Sequence, residues 1–126
     1  MAAFSPNATV TLSGFVARIG LPWRPGPSGS ASYQFERSGL VTFTPSEDGQ
    51  RVILSLAAPS LRPNETTERQ LLENAGQDAI LNRFVHTGLS RNGDYHWAVM
   101  FDNDELSEPL IDRCLQRLIE LRRAIP

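Results

Sequence analysis

Hydrophobic and polar positions alternate most regularly between Phe84 and Phe101, on either side of Asn92-Gly93. Asn-Gly between two alternating runs is a strong hairpin signal, because both residues tolerate positive φ. A two-residue turn there pairs Arg91 with Asp94, Leu89 with His96 and His86 with Val99. Phe84, His86, Tyr95, Trp97, Val99 and Phe101 then share one face, and Val85, Thr87, Leu89, His96, Ala98 and Met100 share the other. Both faces carry apolar side chains. A hairpin in a small antiparallel sheet ordinarily buries one face and wets the other. The pattern therefore predicts that another protein chain covers one of them.

Upstream, the periodicity changes twice. Ser5-Pro6 offers an N-cap followed by proline in the first helical turn. Ala8, Leu12, Phe15, Val16 and Ile19 then recur at helical spacing until Gly20 and Pro22. Residues 22–31 carry three prolines and two glycines and read as a loop that contains Trp23. Period-two segments follow at Ser32 to Arg37, Leu40 to Thr44 and Arg51 to Ala58, with Ser38-Gly39 and Glu47-Asp48-Gly49 as turns. In the third, Val52, Leu54, Leu56 and Ala58 alternate with Arg51, Ile53, Ser55 and Ala57.

A second helix starts near Asn64 or Thr66, with Glu65 and Glu68 in its first turn and Leu71, Leu72 and Ala75 on its apolar side. Gly76 ends or kinks it, and residues 77–83 read as a helical turn or a loop. The final segment is the clearest helix. Asp104 or Ser107 caps it, and Leu110, Ile111, Cys114, Leu115, Leu118, Ile119, Leu121 and Ile125 form a wide apolar face. Acids lead it (Glu105, Glu108) and arginines close it (Arg117, Arg122, Arg123), as the helix dipole favours. The order is α-β-β-β-α-β-β-α, which points to a single α+β domain over 1–126 with a twisted antiparallel sheet flanked by helices.

Composition narrows the function. The 126 residues suffice for one core, and 40% are apolar. A net charge of −2 gives no basic stripe for nucleic acid or an anionic membrane, although all twelve basic residues are arginine. No apolar run approaches the roughly 20 residues needed to span a bilayer. The first twenty residues show no signal-peptide pattern, so a cytoplasmic location is expected. The triplets Asn7-Ala8-Thr9 and Asn64-Glu65-Thr66 then carry no glycosylation meaning.

Candidate chemistry is sparse. Cys114 is the single cysteine and sits on the apolar stripe of the last helix, where burial makes a thiol inert. His86 and His96 point to opposite faces in the two-residue register; a three-residue loop would bring them to one face, without an obvious third metal ligand. Asp102-Asn103-Asp104-Glu105 lacks the spacing and central glycine of an EF-hand. Pro25 to Gly29 matches no phosphate-binding loop. No nucleophile, base and orienter converge, so neither an enzyme nor a cofactor is expected.

The segments Phe15-Val-Ala-Arg-Ile-Gly-Leu-Pro, Leu71-Leu72-Glu73-Asn74, Phe84 to Ser90 with Thr87-Gly88-Leu89, the Asn92-Gly93 turn, Tyr95 to Phe101 and the closing helix together resemble the type III secretion chaperones of the CesT-like kind. Ala75-Gly76-Gln77-Asp78 and the Pro/Gly-rich loop at Pro22 to Ala31 depart from that family's pattern. The resemblance implies a small cytoplasmic homodimer, joined through the central helix and later strands, that holds the N-terminal region of a secreted effector in extended form. It implies a dimer interface at Leu71, Leu72, Val85, Thr87, Leu89, Ala98 and Met100. It implies effector contacts at Phe15, Ile19, Leu21, Trp23, Phe35, Val41, Phe43 and Ile53. The alternative is a small dimeric α+β regulatory or ligand-binding domain without a secretion role. A deep enclosed polar pocket would favour that reading, and a long shallow groove the chaperone.

Overall fold

The computed structural model describes residues 2–126. Helix α1 (Pro6–Arg18) starts at Ser5, whose Oγ accepts the Ala8 amide at 3.1 Å. Three strands follow, β1 (Ala31–Phe35), β2 (Gly39–Pro45) and β3 (Arg51–Pro59). Helix α2 (Glu65–Glu73) starts with a reciprocal cap, in which Asn64 and Thr67 each accept the other's backbone N–H. Then come β4 (Gly76–Asp78), β5 (Arg83–Leu89), β6 (Asp94–Asp102) and α3 (Glu108–Arg123), the last capped by Ser107. The expected order holds, with one added three-residue strand at Gly76–Asp78, in a segment expected to be a turn or a loop.

The six strands form one antiparallel sheet in the order β1-β2-β3-β6-β5-β4. Strict alternation makes one face of the central strands apolar: Val41 and Phe43, Val52 to Ala58 at every second position, and Tyr95, Trp97, Val99 and Phe101 are all buried. They form a single core with Ala8, Leu12, Phe15 and Val16 of α1 and the inner stripe of α3. No outward-facing residue of β2, β3 or β6 is buried. The fold is thus two layers, with helices on one side of the sheet and the other side uncovered by the described residues.

The hairpin register corrects the two-residue expectation. His86 faces Ala98 and Leu89 faces Tyr95, one residue away from the expected pairing. The Gly93 amide donates to the Ser90 carbonyl at 3.0 Å and the Ser90 amide to the Asp94 carbonyl at 2.9 Å, so the loop contains three residues, Arg91 to Gly93. Gly93 alone in that loop takes a positive φ, +90°. This is the type I turn with a left-handed third residue, which an Asn-Gly pair serves as well as a two-residue turn. A one-residue slip exchanges the faces of a strand. Val85, Thr87 and Leu89 therefore lie with Tyr95, Trp97, Val99 and Phe101 on the helix side. Phe84 and His86 lie with His96, Ala98 and Met100 on the open side.

Two ion pairs tie the late elements together. The Arg83 guanidinium donates to the Met100 carbonyl at 2.7 Å, pairs with Glu105 and lies 5.1 Å over the Phe101 ring. Arg117 of α3 holds Asp78 of β4 through Nη2 at 2.9 Å and Nε at 3.1 Å. Both residues are mostly buried.

Candidate functional site

Among the described residues, three apolar surfaces stand out after the core has formed. The first is the open sheet face. On β3, β5 and β6 it is apolar or aromatic, with Ile53, Phe84, Ala98 and Met100; Phe84 is 50% exposed. Toward β1 and β2 it becomes a hydroxyl surface, where Ser32 and Thr42 hydrogen bond at 2.9 Å and Ser30 and Thr44 at 3.2 Å. His86 and His96 share this face, as a three-residue loop requires, and the His86 ring lies 4.6 Å from Phe84. Among the described residues, no group of three or more His, Cys, Asp or Glu side chains is placed to hold a metal ion.

The second surface is a ledge between α2 and β5. Leu72 is 68% exposed and Leu89 53%. They flank an open hollow of about 150 Å³ that Glu68, Leu71 and Gly88 complete. Strand β4 pairs only with Arg83, Phe84 and Val85, so β5 from His86 to Leu89 presents an unpaired edge beside this ledge. An unpaired strand edge next to exposed leucines is a template for another chain.

The third surface lies at the β1 edge of the sheet, near the end of α1. Ile19, Leu21, Trp23 and Phe35 are partly exposed there. Four rings run from the surface into the core: Phe4 to Trp23 at 5.2 Å, Trp23 to Phe43 at 6.5 Å and Phe43 to Phe15 at 6.2 Å. The Tyr33 hydroxyl donates to the Pro22 carbonyl at 2.8 Å and so pins the Pro/Gly-rich loop to β1. Beside it, α1 and α3 bound an open groove at Phe15, Ile19 and Pro109, bridged by the Arg18–Glu108 pair at 3.1 Å.

The expected contact residues divide among these places. Phe15, Val41 and Phe43 are core residues, between 1% and 4% exposed, and present almost no surface to a partner. The same correction applies to Leu71 and Val85, whose side chains are filled by this chain's own packing. Leu21, Trp23 and Phe35 are partly exposed on or beside β1, and Ile19 lines the groove between α1 and α3. Thr87, Leu72 and Leu89 gather at the ledge. Ile53, Ala98 and Met100 lie on the open sheet face, apart from the ledge with which Ala98 and Met100 were grouped. Sequence reasoning missed Phe4. Its only signal was position: it immediately precedes the Ser5 cap, where an apolar residue packs back on its own helix.

Cys114 is fully buried, and burial pushes its thiol above the ordinary range despite the Arg83 and Arg113 charges. The hollows are open, and the two that face the ledge and Trp23 are mainly apolar. No helix is long and apolar enough to cross a membrane among the described residues.

Solved structures match this arrangement over nearly the whole chain. A chain of the Yersinia pestis type III secretion chaperone SycH in complex with a stable fragment of YscM2 superposes with a TM-score of 0.71 at 13% identity, covering 94% of this chain and 98% of that one. A chain of the HopA1–SchA chaperone–effector complex matches with a TM-score of 0.74 at 19% identity, covering 94% and 92%. The chain has the fold of a type III secretion chaperone. A chain of the heterodimeric ExoU–SpcU complex from the Pseudomonas aeruginosa type III secretion system shares it too, with a TM-score of 0.65 at 13% identity and coverage of 90% and 93%. No protein-family model and no curated protein matches the sequence. In this secretion-chaperone fold, the three apolar surfaces fall on the open sheet face and at its two edges.

Proposed function

We propose that the chain is a cytoplasmic homodimeric chaperone, and not an enzyme, that holds the N-terminal region of a secreted effector in extended form. One observation carries the reading: a sheet with an uncovered face and unpaired edges flanked by exposed apolar side chains, on a fold whose solved examples include chaperone–effector complexes.

The ledge is the surface for the second copy. Leu72 and Leu89 project from it, Glu68, Leu71 and Gly88 line the hollow between them, and Thr87 lies on the same strand as Leu89. A stable dimer buries about 1,200–2,000 Å² in total, so the leucines are the centre of a patch that extends along β5 and α2. The effector segment takes the other edge. An extended chain adds to β1 through main-chain hydrogen bonds, and its apolar side chains fall against Leu21, Trp23 and Phe35, with Ile19 at the rim. Ile53, Ala98 and Met100 continue apolar surface across the open face. The effector segment stays non-globular in this mode because its main-chain groups and apolar side chains are engaged by this chain instead of by its own fold. The open, apolar character of the hollows favours a chaperone over a small-ligand domain, which would need an enclosed pocket with converging polar groups.

The test is co-expression of this chain with the product of the adjoining open reading frame, followed by affinity capture and limited proteolysis. The expected result is a stable complex in which an N-terminal effector segment is protected. Capture of a fully folded partner, with no extended segment protected, would contradict the proposal.

A further inference from the structure

The residues that precede α1 lie across the aromatic surface on which the effector segment is proposed to dock. Ser5 is firmly fixed: its Oγ accepts from the Ala8 amide and from Asn103 Nδ2, each at 3.1 Å, and Asn103 Nδ2 also donates to the Gly49 carbonyl at 2.7 Å. Ala2, Ala3 and Phe4 are held differently. They have no regular secondary structure, and their backbone groups make no hydrogen bond among the described residues. What holds them is apolar packing, with the Phe4 ring tilted over Trp23 at 5.2 Å. Beside that ring, Ala2, Ala3, Thr9 and the loop from Trp23 to Gly29 surround an open hollow of about 370 Å³.

The body of the protein is cut to receive this segment. A methyl group added at Gly29 would come within 2.7 Å of the Ala2 carbonyl oxygen, and one at Gly49 within 3.1 Å of the Ala3 carbonyl oxygen. Two glycines thus let the segment lie close against two loops without hydrogen bonding to either. A segment fixed at its root by hydrogen bonds and elsewhere held by apolar packing alone exchanges easily with a competitor offering the same apolar group.

We propose that residues 2–4 are an internal placeholder: in the free protein Phe4 occupies the apolar seat on Trp23 that an anchor side chain of the incoming effector segment takes on binding. The displacement rests on the chaperone reading above; the occupancy of the seat does not. The device keeps a greasy surface covered until a partner arrives. It also lowers the partner's apparent affinity by the fraction of molecules in which the seat is open.

The experiment compares wild type, Phe4→Ala, Phe4→Leu and the Phe4→Ala, Trp23→Ala double variant, with circular dichroism confirming that each is folded. The first readout is fluorescence of the apolar dye 1-anilinonaphthalene-8-sulfonate at neutral pH. Phe4→Ala should bind more dye than wild type, Phe4→Leu should behave like wild type, and Trp23→Ala should remove the gain. The second readout is the Kd of the effector segment identified by co-purification, which Phe4→Ala should tighten about tenfold. Equal dye binding by wild type and Phe4→Ala, or a gain that survives Trp23→Ala, would overturn the placeholder and leave the chaperone reading untouched. A dye gain without tighter effector binding would overturn the displacement. Failure of any effector to co-purify would refute the chaperone reading, and the dye comparison would still decide whether Phe4 fills the seat.

Discussion

Replacing Asp78 by alanine tests how the free β5 edge is built. Asp78 ends β4, and its carboxylate accepts from Arg117 Nη2 at 2.9 Å, from Arg117 Nε at 3.1 and 3.2 Å, and from the Leu81 amide at 2.9 Å. The Asp78 side chain is 10% exposed and that of Arg117 19%. Removing one member of a fully buried pair costs about 3–5 kcal/mol, and an exposed pair is worth about 1 kcal/mol or less. Arg117 keeps a weak alternative in Glu120, 3.4 Å away but 61% exposed. The expected loss lies between those limits, about 2–3 kcal/mol, including the unsatisfied Leu81 amide. For a chain of this length that lowers Tm by about 8–12 °C, read by thermal circular dichroism at fixed protomer concentration, since association also moves Tm.

The same pair sets a pH signature. Burial raises the Asp78 pKa, but the Arg117 hydrogen bonds, the Leu81 amide and the Arg117 charge together outweigh it and hold the carboxyl below its usual range. A carboxyl with a depressed folded pKa contributes stability in full well above its unfolded value of about 3.9 and loses it as pH falls through the folded value. The gap between wild type and Asp78→Ala should therefore be widest near neutrality and close in acid. A variant within about 0.5 kcal/mol of wild type at pH 7, or a gap that does not change with pH, would refute the ion-pair argument.

Two further outcomes follow from the hairpin and the core. Gly93→Ala has open space around the added methyl group, so its cost is the left-handed backbone alone, about 1–2 kcal/mol, measured as a lower denaturant midpoint at unchanged m. The Cys114 thiol, fully buried and with its pKa pushed up, should titrate with a thiol reagent in denaturant and stay unreactive in the native protein.

Most of the fold was legible because burial on one side leaves a period in the sequence. The alternation of Val52, Leu54, Leu56 and Ala58, and of Tyr95, Trp97, Val99 and Phe101, predicts which side of β3 and β6 is inside. The caps at Ser5, Asn64 and Ser107 mark the helix starts. Strand β4 was not legible, since Gly76-Gln77-Asp78 has no strand propensity; its place depends on pairing with β5 and on the Arg117 contact from far along the chain. The register of β5 was ambiguous for a different reason. Phe84, Val85 and Leu89 put apolar residues on both sides, so only the loop length decides which side is inside, and Asn-Gly serves two lengths. The contact surfaces were legible in composition but not in exposure. Phe15, Val41 and Phe43 are as apolar as Ile19, Trp23 and Phe35, and only packing separates the core from the rim.

The measurement that bears most directly on the account is the mass in solution, by light scattering across micromolar concentrations, of wild type and of a Leu72→Glu, Leu89→Glu double variant. The ledge and the unpaired stretch of β5 predict twice the 14.0 kDa chain mass for wild type. They predict a single-chain mass for the variant, with its circular dichroism spectrum unchanged because both side chains are outside the core. A wild-type protein that stays at one chain's mass at tens of micromolar, or a variant that still pairs, would contradict the claim that this surface exists to be joined by another polypeptide.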